Sequence, residues 1–206
     1  MKMRVNPTRM QLLRLKKRMV MARRGHKLLK DKLEGLVQAF MDLVGQYREL
    51  RDAVDRDLPA TLNLFMLAQG ISGEEAVTLA LEESDTRLEV EINHKSVMSV
   101  AYPEVFLRGF ELRPSYSTLS TTTDFDLASA SLRDIFPRLL ELASKEEAVI
   151  RMADEIEKTR RRVNALEYVM IPSLRETIKE INSKLEENDR SSRSRLMKVK
   201  EMLMSD

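Results

Sequence analysis

Apolar residues recur along the first seventy positions at the spacing of one helix face. From residue 36 onward, successive apolar positions are separated by 4, 3, 4, 3, 4, 4, 4 and 3 residues. Asn6 can cap such a helix, and Pro7 suits its first position. The pattern therefore predicts a long N-terminal helix that Pro59 bends near its far end. The apolar series is Leu36, Phe40, Leu43, Tyr47, Leu50, Val54, Leu58, Leu62 and Phe65.

A second long helix is predicted from about residue 124 to the end. Its apolar series, which Glu146 and Arg160 interrupt, is Ile135, Leu139, Leu142, Val149, Ala153, Ile156, Val163, Leu166, Met170, Leu174, Ile178, Ile181 and Leu185. Both series contain steps of eleven residues, such as Leu36 to Tyr47 and Val163 to Leu174. An eleven-residue repeat favours a straight or right-handed helix pair. We therefore expect an antiparallel coiled coil of hendecad type that brings Arg9 and Lys198 to the same end.

The segment between the two helices has a different pattern. "GISGEEAVTLALEES" is typical of a short helix that Ser72 could cap. "RLEVEINHKSVMSVAY" alternates apolar and polar residues, which predicts a β-hairpin with its turn near residues 93–96. Leu88, Val90 and Ile92 then share one face, and Val97 lies in the second strand. The predicted fold class is mainly α, with an N-terminal helix (1–69), a small middle region (70–123) and a C-terminal helix (124–206).

Pro172 lies inside the second apolar series, in "TRRRVNALEYVMIPSLRETIKEI". A proline inside a helix costs about 3 kcal/mol, because it lacks an N–H group and its ring clashes with the preceding turn. Ser173 and Glu176 could form a capping box that starts a new helix. Because the apolar series keeps its phase from Met170 to Leu174, a continuous helix with a kink at Pro172 is the favoured interpretation.

Three glycines, Gly25, Gly35 and Gly45, fall inside the predicted N-terminal helix. Each costs about 1 kcal/mol relative to alanine. Local close approach of the partner helix is the favoured explanation, with a hinge as the alternative.

The composition argues against an enzyme. The chain contains no cysteine and only two histidines, His26 and His94, which lie far apart. It has no glycine-rich phosphate loop and no nucleophile motif. No apolar run approaches the roughly 20 residues that span a bilayer. We therefore expect no catalytic residue, no metal site, no cofactor and no membrane insertion.

The N-terminal thirty residues are strongly basic, with eleven Lys or Arg and no acidic residue. This composition is similar to that of a mitochondrial transit peptide, but the segment runs without a break into the helical pattern. Nucleic-acid binding is an alternative. However, no aromatic residue that could stack on bases occurs before Phe40. Basic helical ends that pass through a protein sleeve fit better.

Two motifs resemble one known family. "NPTRMQLLRLKKRMVMARRGHKLLKDKLEGLVQAF" near the start and "RRRVNALEYVMIPSLRETIKEI" near the end resemble the D subunit of the archaeal and vacuolar-type rotary ATPases. The resemblance implies a non-catalytic central rotor stalk, peripheral at the cytoplasmic face of a membrane. Such a stalk transmits torque between an ATP-hydrolysing or ATP-synthesising ring of A and B subunits and an ion-translocating membrane ring. It also implies contacts with a small stalk protein, the F subunit, and with a funnel-shaped subunit on the membrane ring.

The resemblance assigns candidate contact residues. Basic side chains near both termini are expected to face acidic loops of the ring's bore, and these residues are Arg9, Arg14, Lys17, Arg18, Arg24, Lys27, Arg195 and Lys198. The hairpin residues Leu88, Val90, Ile92 and Val97 are expected to contact the F subunit. The stretch "DRSSRSRLMKVKEML" departs from the family pattern. A non-rotating coiled-coil scaffold and a nucleic-acid-binding helical hairpin are the alternative functions.

Overall fold

The structure is a computed structural model that describes residues 5–113, 116 and 121–204. It confirms the predicted fold class: two long helical segments flank a short helix and a two-stranded hairpin. In chain order the elements are α1 (Arg9–Ser72), α2 (Glu74–Glu83), β1 (Asp85–Val97), β2 (Val100–Arg113), α3 (Thr123–Asn164), a π-helical turn (Ala165–Met170) and α4 (Ile171–Met204).

The chain forms two compact units. The terminal unit combines residues 1–34 with residues 156–206, and the central unit consists of residues 35–155. Each unit contains part of α1 and part of the C-terminal helical segment.

Inside the terminal unit the two helical segments pair antiparallel, as predicted. Leu15 and Ala22 of α1 pack with Leu174 and Ile181 of α4 in one buried cluster. Two polar contacts give the direction: Arg9 pairs with Asp189 at 3.0 Å, and His26 lies 3.3 Å from Glu167. Residue numbers rise along α1 while they fall along its partner. The start of α1 therefore lies beside the middle of α4.

The two apolar series are buried or half-buried as predicted, with one exception in each. In the first series Leu62 is exposed, and the neighbouring Thr61 is buried in its place. The Thr61 hydroxyl donates a hydrogen bond to the Asp57 carbonyl, which satisfies this polar group without a partner from another helix. In the second series Ala153 is exposed and Met152 is buried. The buried face therefore shifts by one residue at both places.

The helical segment runs continuously through Pro172, so the alternative of a new helix that starts at Ser173 is wrong. The six residues before Ile171 form a π-helical turn, in which the Ile171 N–H donates to the Leu166 carbonyl, five residues earlier. This wider turn lies in the stretch whose carbonyl would otherwise clash with the proline ring. The Ser173 carbonyl accepts a hydrogen bond from the Thr177 hydroxyl, a side-chain bond that threonine commonly makes inside a helix. The kink itself stays a prediction.

The glycines of α1 are explained at one position only. A Cβ atom on Gly35 would lie 2.5 Å from the terminal methyl carbon of Met98, so the hairpin tip lies directly against the helix there. At Gly25 and Gly45 a Cβ atom would meet nothing within 4 Å. Close approach of a partner helix is therefore the wrong explanation at all three positions.

The predicted cap of the short helix is also wrong. Helix α1 extends to Ser72, and Gly73 occupies the N-cap position of α2 without a side-chain hydrogen bond. Gly73 has a φ of 87°, a conformation that a serine adopts only with strain. The chain therefore turns sharply at the glycine between the two helices.

Phe125 is the centre of a small core in the central unit. It packs with Ala68, Val77 and Ala80, and its ring meets those of Phe65 and Tyr116 edge to face. The Tyr116 hydroxyl donates to Asp126. Burial, together with this hydrogen bond, raises the pKa of Tyr116 to about 12. The core thus joins the end of α1 to α2 and to the start of α3.

Candidate protein-interaction surfaces

The eight basic residues predicted to contact a ring all lie in the terminal unit, and all are exposed. Arg9 is paired with Asp189, and Arg195 donates to Ser191 one turn away. Arg14, Lys17 and Arg18 flank Leu15, which is buried against α4. We call these eight residues the basic surface: Arg9, Arg14, Lys17, Arg18, Arg24, Lys27, Arg195 and Lys198. The six basic residues of α1 lie on the outside of the helix pair, and Arg195 and Lys198 lie on the part of α4 that follows Asp189.

Exposed apolar side chains lie among these basic residues. The N-terminal series divides in two: Leu12, Leu15 and Met19 pack inward, whereas Met10, Leu13 and Met21 are exposed. Large apolar side chains exposed on the last part of α4 include Leu196, Met197, Val199, Met202, Leu203 and Met204. The sequence pattern did not predict a role for these residues. A helical segment that buries no face shows no periodic apolar stripe, so the pattern gives no signal there.

The last part of α4 extends past the start of α1. Arg9, the first residue of α1, pairs with Asp189, and every described residue after 189 except Ser191 is exposed. A single helix that carries this many exposed apolar residues indicates an interaction surface. We therefore regard the exposed apolar residues at this end of α4 as a candidate interaction surface.

The turn of the hairpin lies about four residues later than predicted, when the centres of the two turns are compared. Val97 pairs with Val100, and Met98 and Ser99 form the turn, with φ values of 49° and 72°. Two consecutive positive φ values define the type I′ turn that closes two-residue hairpins. The prediction of a turn at residues 93–96 was wrong, and Val97 ends the first strand. It therefore lies on the opposite face from Leu88, Val90 and Ile92.

The two groups of hairpin residues have different surroundings. Leu88, Val90 and Ile92 are exposed by 43%, 41% and 59%, respectively. Val97 is half-buried, and Val100 and Tyr102, which follow the turn, are buried. Three of the four predicted contact residues are therefore available to a partner, and Val97 packs within its own chain.

The central unit holds the hairpin through β2. The Val105 N–H donates to Ser144 Oγ at 3.0 Å, and Arg151 donates to the Ala101 carbonyl at 3.1 Å. Near the base, the ring of Phe110 stacks on that of Phe136, with centroids 5.2 Å apart. A two-stranded hairpin is marginal on its own. These contacts with α3 therefore supply the support that it needs.

The described residues contain no group of three or more His, Asp or Glu side chains arranged to hold a metal ion. Among them there is also no helix with both the length and the apolar character that crossing a bilayer requires. Pro172 is exposed.

Comparison with known proteins decides the family. The family model described as the ATP synthase D subunit matches residues 11–201. The chain belongs to this family. It is 46% identical over 202 residues to the V-type ATP synthase D subunit of Thermoanaerobacter sp. (strain X514), covering 97% of both chains. It is 48% identical over 205 residues to that of Clostridium novyi (strain NT), covering 97% of this chain and 94% of the relative.

A relative from a third genus matches along the full length. The V-type ATP synthase D subunit of Fusobacterium nucleatum is 44% identical over 208 residues, covering 100% of this chain and 99% of the relative. The match therefore includes the terminal unit, the hairpin and the π-helical turn, and the resemblance found in the two terminal motifs is confirmed.

Proposed function

We propose that the chain is the central rotor shaft of a V-type ATP synthase and makes no covalent change itself. In this role the terminal unit occupies the bore of a ring of A and B subunits. ATP hydrolysis in the ring turns the shaft and drives ion movement through a membrane ring, and ion flow turns it the other way. The complex holds the shaft at the cytoplasmic face of the membrane, with the funnel-shaped subunit between shaft and membrane ring.

The observation that carries the proposal is the antiparallel helix pair of the terminal unit in a member of the D-subunit family. The pair buries Leu15, Ala22, Leu174 and Ile181 between its helices and turns the basic surface outward. A rotating shaft needs stable packing between its own helices and only weak contacts between its surface and the surrounding ring. The first is supplied by apolar packing, which costs several kcal/mol to disrupt at each large side chain.

The exposed surface of the helix pair can exchange its contacts with the ring, because no single contact forms a deep energy minimum. Exposed ion pairs contribute about 0–1 kcal/mol each, so contacts between basic residues and acidic loops can be broken at each step of rotation. Long flexible methionines such as Met10 and Met21 adapt to changing surroundings in the same way. The bore contact thus combines weak ion pairs with adaptable apolar contacts.

The hairpin supplies the second contact of the proposed assembly. The exposed residues Leu88, Val90 and Ile92 are the proposed contact with the F subunit, the small protein of the stalk. Val97 is left out of this proposal because it packs within its own chain.

Charge reversal tests the bore contact. Arg14, Lys17 and Arg18 are changed together to Glu, and assembly with purified A and B subunits is measured by size-exclusion chromatography at fixed ionic strength. We expect the triple variant to lose most of the complex, whereas single alanine variants retain it. A matched control carries Glu at Arg48, Arg56 and Arg133, which are exposed residues of the central unit.

Two results would reject the proposal. One is wild-type assembly by the triple variant with an unchanged circular dichroism spectrum. The other is recovery of the wild-type chain at moderate salt with nucleic acid, or with a non-rotating partner, in place of the ring.

A further inference from the structure

The outer edge of β2 is closed by its own chain. Main-chain groups of alternate residues point to the same side of a strand, so Ala101, Pro103 and Val105 share one direction. The Val105 N–H and the Ala101 carbonyl both bond to side chains of α3. Pro103, between them, has no N–H group to offer. Along residues 101–105 of β2, therefore, no further strand can add on this side.

The outer edge of β1 is open. Ile92, His94 and Ser96 lie opposite Val105, Pro103 and Ala101. Because the β2 residues of these pairs direct their main-chain groups away from β1, the β1 residues direct theirs away from β2. In residues 5–113, 116 and 121–204, nothing bonds to these outward groups. We call them the open edge: the main-chain N–H and carbonyl groups of Ile92, His94 and Ser96.

No residue of β1 lacks the main-chain N–H group that strand pairing at this edge requires. The strand is 13 residues long and contains no proline and no glycine. Proteins usually protect exposed edges with charged side chains, a proline, a bulge or a covering element, because an unprotected edge is a template for another strand. The charged residues of β1 nearest to the open edge, Glu91 and Lys95, form ion pairs with β2 and do not cover the edge. The one irregularity lies between Glu89 and Val90, before the open edge begins.

The face beside the open edge indicates what would bind there. Val90 and Ile92 are exposed on one face. On the other face the charges are paired within the hairpin: Glu91 with Arg108, and Lys95 with Glu104. An added strand would extend the apolar face if its own alternate side chains were apolar. The fitting partner is thus an extended segment with alternating apolar residues and free main-chain groups.

We infer that the open edge binds a strand of the F subunit, so that the hairpin becomes a three-stranded sheet. Main-chain hydrogen bonds would supply much of the affinity, and the face around Val90 and Ile92 the side-chain specificity. This inference rests on the proposed function, in which one shaft occupies each ring. The proposed assembly therefore contains no second copy of the chain that could pair with β1.

Amide hydrogen exchange tests the pairing without any mutation. Exchange is measured by NMR on the full chain alone and in complex with the purified F subunit. The amides of Ile92, His94 and Ser96 should exchange at least about tenfold more slowly in the complex, because each gains a hydrogen bond. Those of Glu91, Asn93 and Lys95, which already face β2, serve as internal controls. Unchanged exchange at the three outward amides in a formed complex would overturn the inference.

A proline variant tests the same edge by affinity. Ile92→Pro removes an outward N–H that the hairpin does not use, whereas the matched Ile92→Ala retains it. We expect the proline variant to bind the F subunit at least about tenfold more weakly and the alanine variant to lose clearly less. Equal losses would place the contact on the apolar face alone and overturn strand addition, as would wild-type affinity of the proline variant.

Two further measurements separate the remaining outcomes. If the proline variant unfolds by circular dichroism, the exchange result on the wild-type chain decides. Concentration-dependent protection of the three amides in the chain alone, with a dimer in sedimentation, would assign the edge to a second copy and overturn the proposed partner. Failure of the wild-type chain to join the A and B ring would overturn the proposed function and leave the exchange result standing.

Discussion

At the scale of single residues, Tyr116 gives the chain a distinct response to alkaline pH. Its pKa is raised to about 12 in the folded state by burial and by the hydrogen bond to Asp126. The unfolded chain therefore loses this proton first, near the ordinary tyrosine pKa of about 10. The contribution of Tyr116 to the free energy of unfolding is therefore fully present below about pH 10, and it is lost as the pH rises toward 12.

The variant Tyr116→Phe isolates this contribution. Its free energy of unfolding, measured by urea denaturation from pH 8 to 12, should fall less steeply above about pH 10 than that of the wild type. Parallel curves for the two proteins across this range would show that the phenol does not titrate as described.

The glycines of α1 also separate by their surroundings. Gly25→Ala and Gly45→Ala should each stabilise the chain by up to about 1 kcal/mol, because the new methyl group meets nothing and alanine favours the helix. Gly35→Ala should gain less, because Met98 must move. Denaturant melts of the three variants check the order. An equal gain at Gly35 would mean that the hairpin tip does not lie against the helix.

At the scale of elements, the π-helical turn accounts for how a proline lies inside a continuous helix. Because the turn already accommodates Pro172, replacement by alanine should recover less than the roughly 3 kcal/mol that a proline costs in a regular helix. Pro59 lies inside α1, which is α-helical from Arg9 to Ser72. Pro59→Ala should therefore stabilise the chain more than Pro172→Ala. Urea denaturation of the two variants compares them, and the reverse order would contradict this role of the π-helical turn.

The long helices were predictable because a buried stripe imposes a period on the sequence. Leu36, Val54 and Leu174 are buried where the pattern places them. The hairpin turn was not predictable, because Asn93 and Ser96 are common turn residues, whereas Met98 and Ser99 rarely adopt positive φ. The support for the hairpin was also hidden: Ser144 and Arg151 act across about forty to fifty positions of sequence, which no local pattern reports.

Deletion of residues 87–101 tests whether the hairpin and the long helices have separate roles, because it removes most of β1 and the hairpin turn. Because α3 and α1 have their own buried residues, such as Leu36 and Ile135, the shortened chain should keep most of its helical circular dichroism signal. It should bind the F subunit far more weakly, as measured by calorimetry. Unchanged affinity would remove the hairpin from the contact.

At the scale of the whole molecule, the exposed surfaces decide the function, and only part of them was predictable. The basic surface could be expected from the charge near the N-terminus. The exposed apolar end of α4 could not, because nothing in the local sequence tells that α1 begins opposite Asp189. Of the described residues after Asp189, all but Ser191 are exposed. Both surfaces lie in the terminal unit, where the proposed shaft meets its ring.

The central claim is that this chain turns, and direct observation of rotation tests it. The chain contains no cysteine, so Glu82→Cys, at an exposed position of α2, provides a single attachment point for a bead. The A and B ring is fixed to a surface with the labelled chain bound, and ATP is added. We expect the bead to rotate continuously in one direction and to stop when ATP is removed. A bead that stays fixed while the same complexes hydrolyse ATP would contradict the claim.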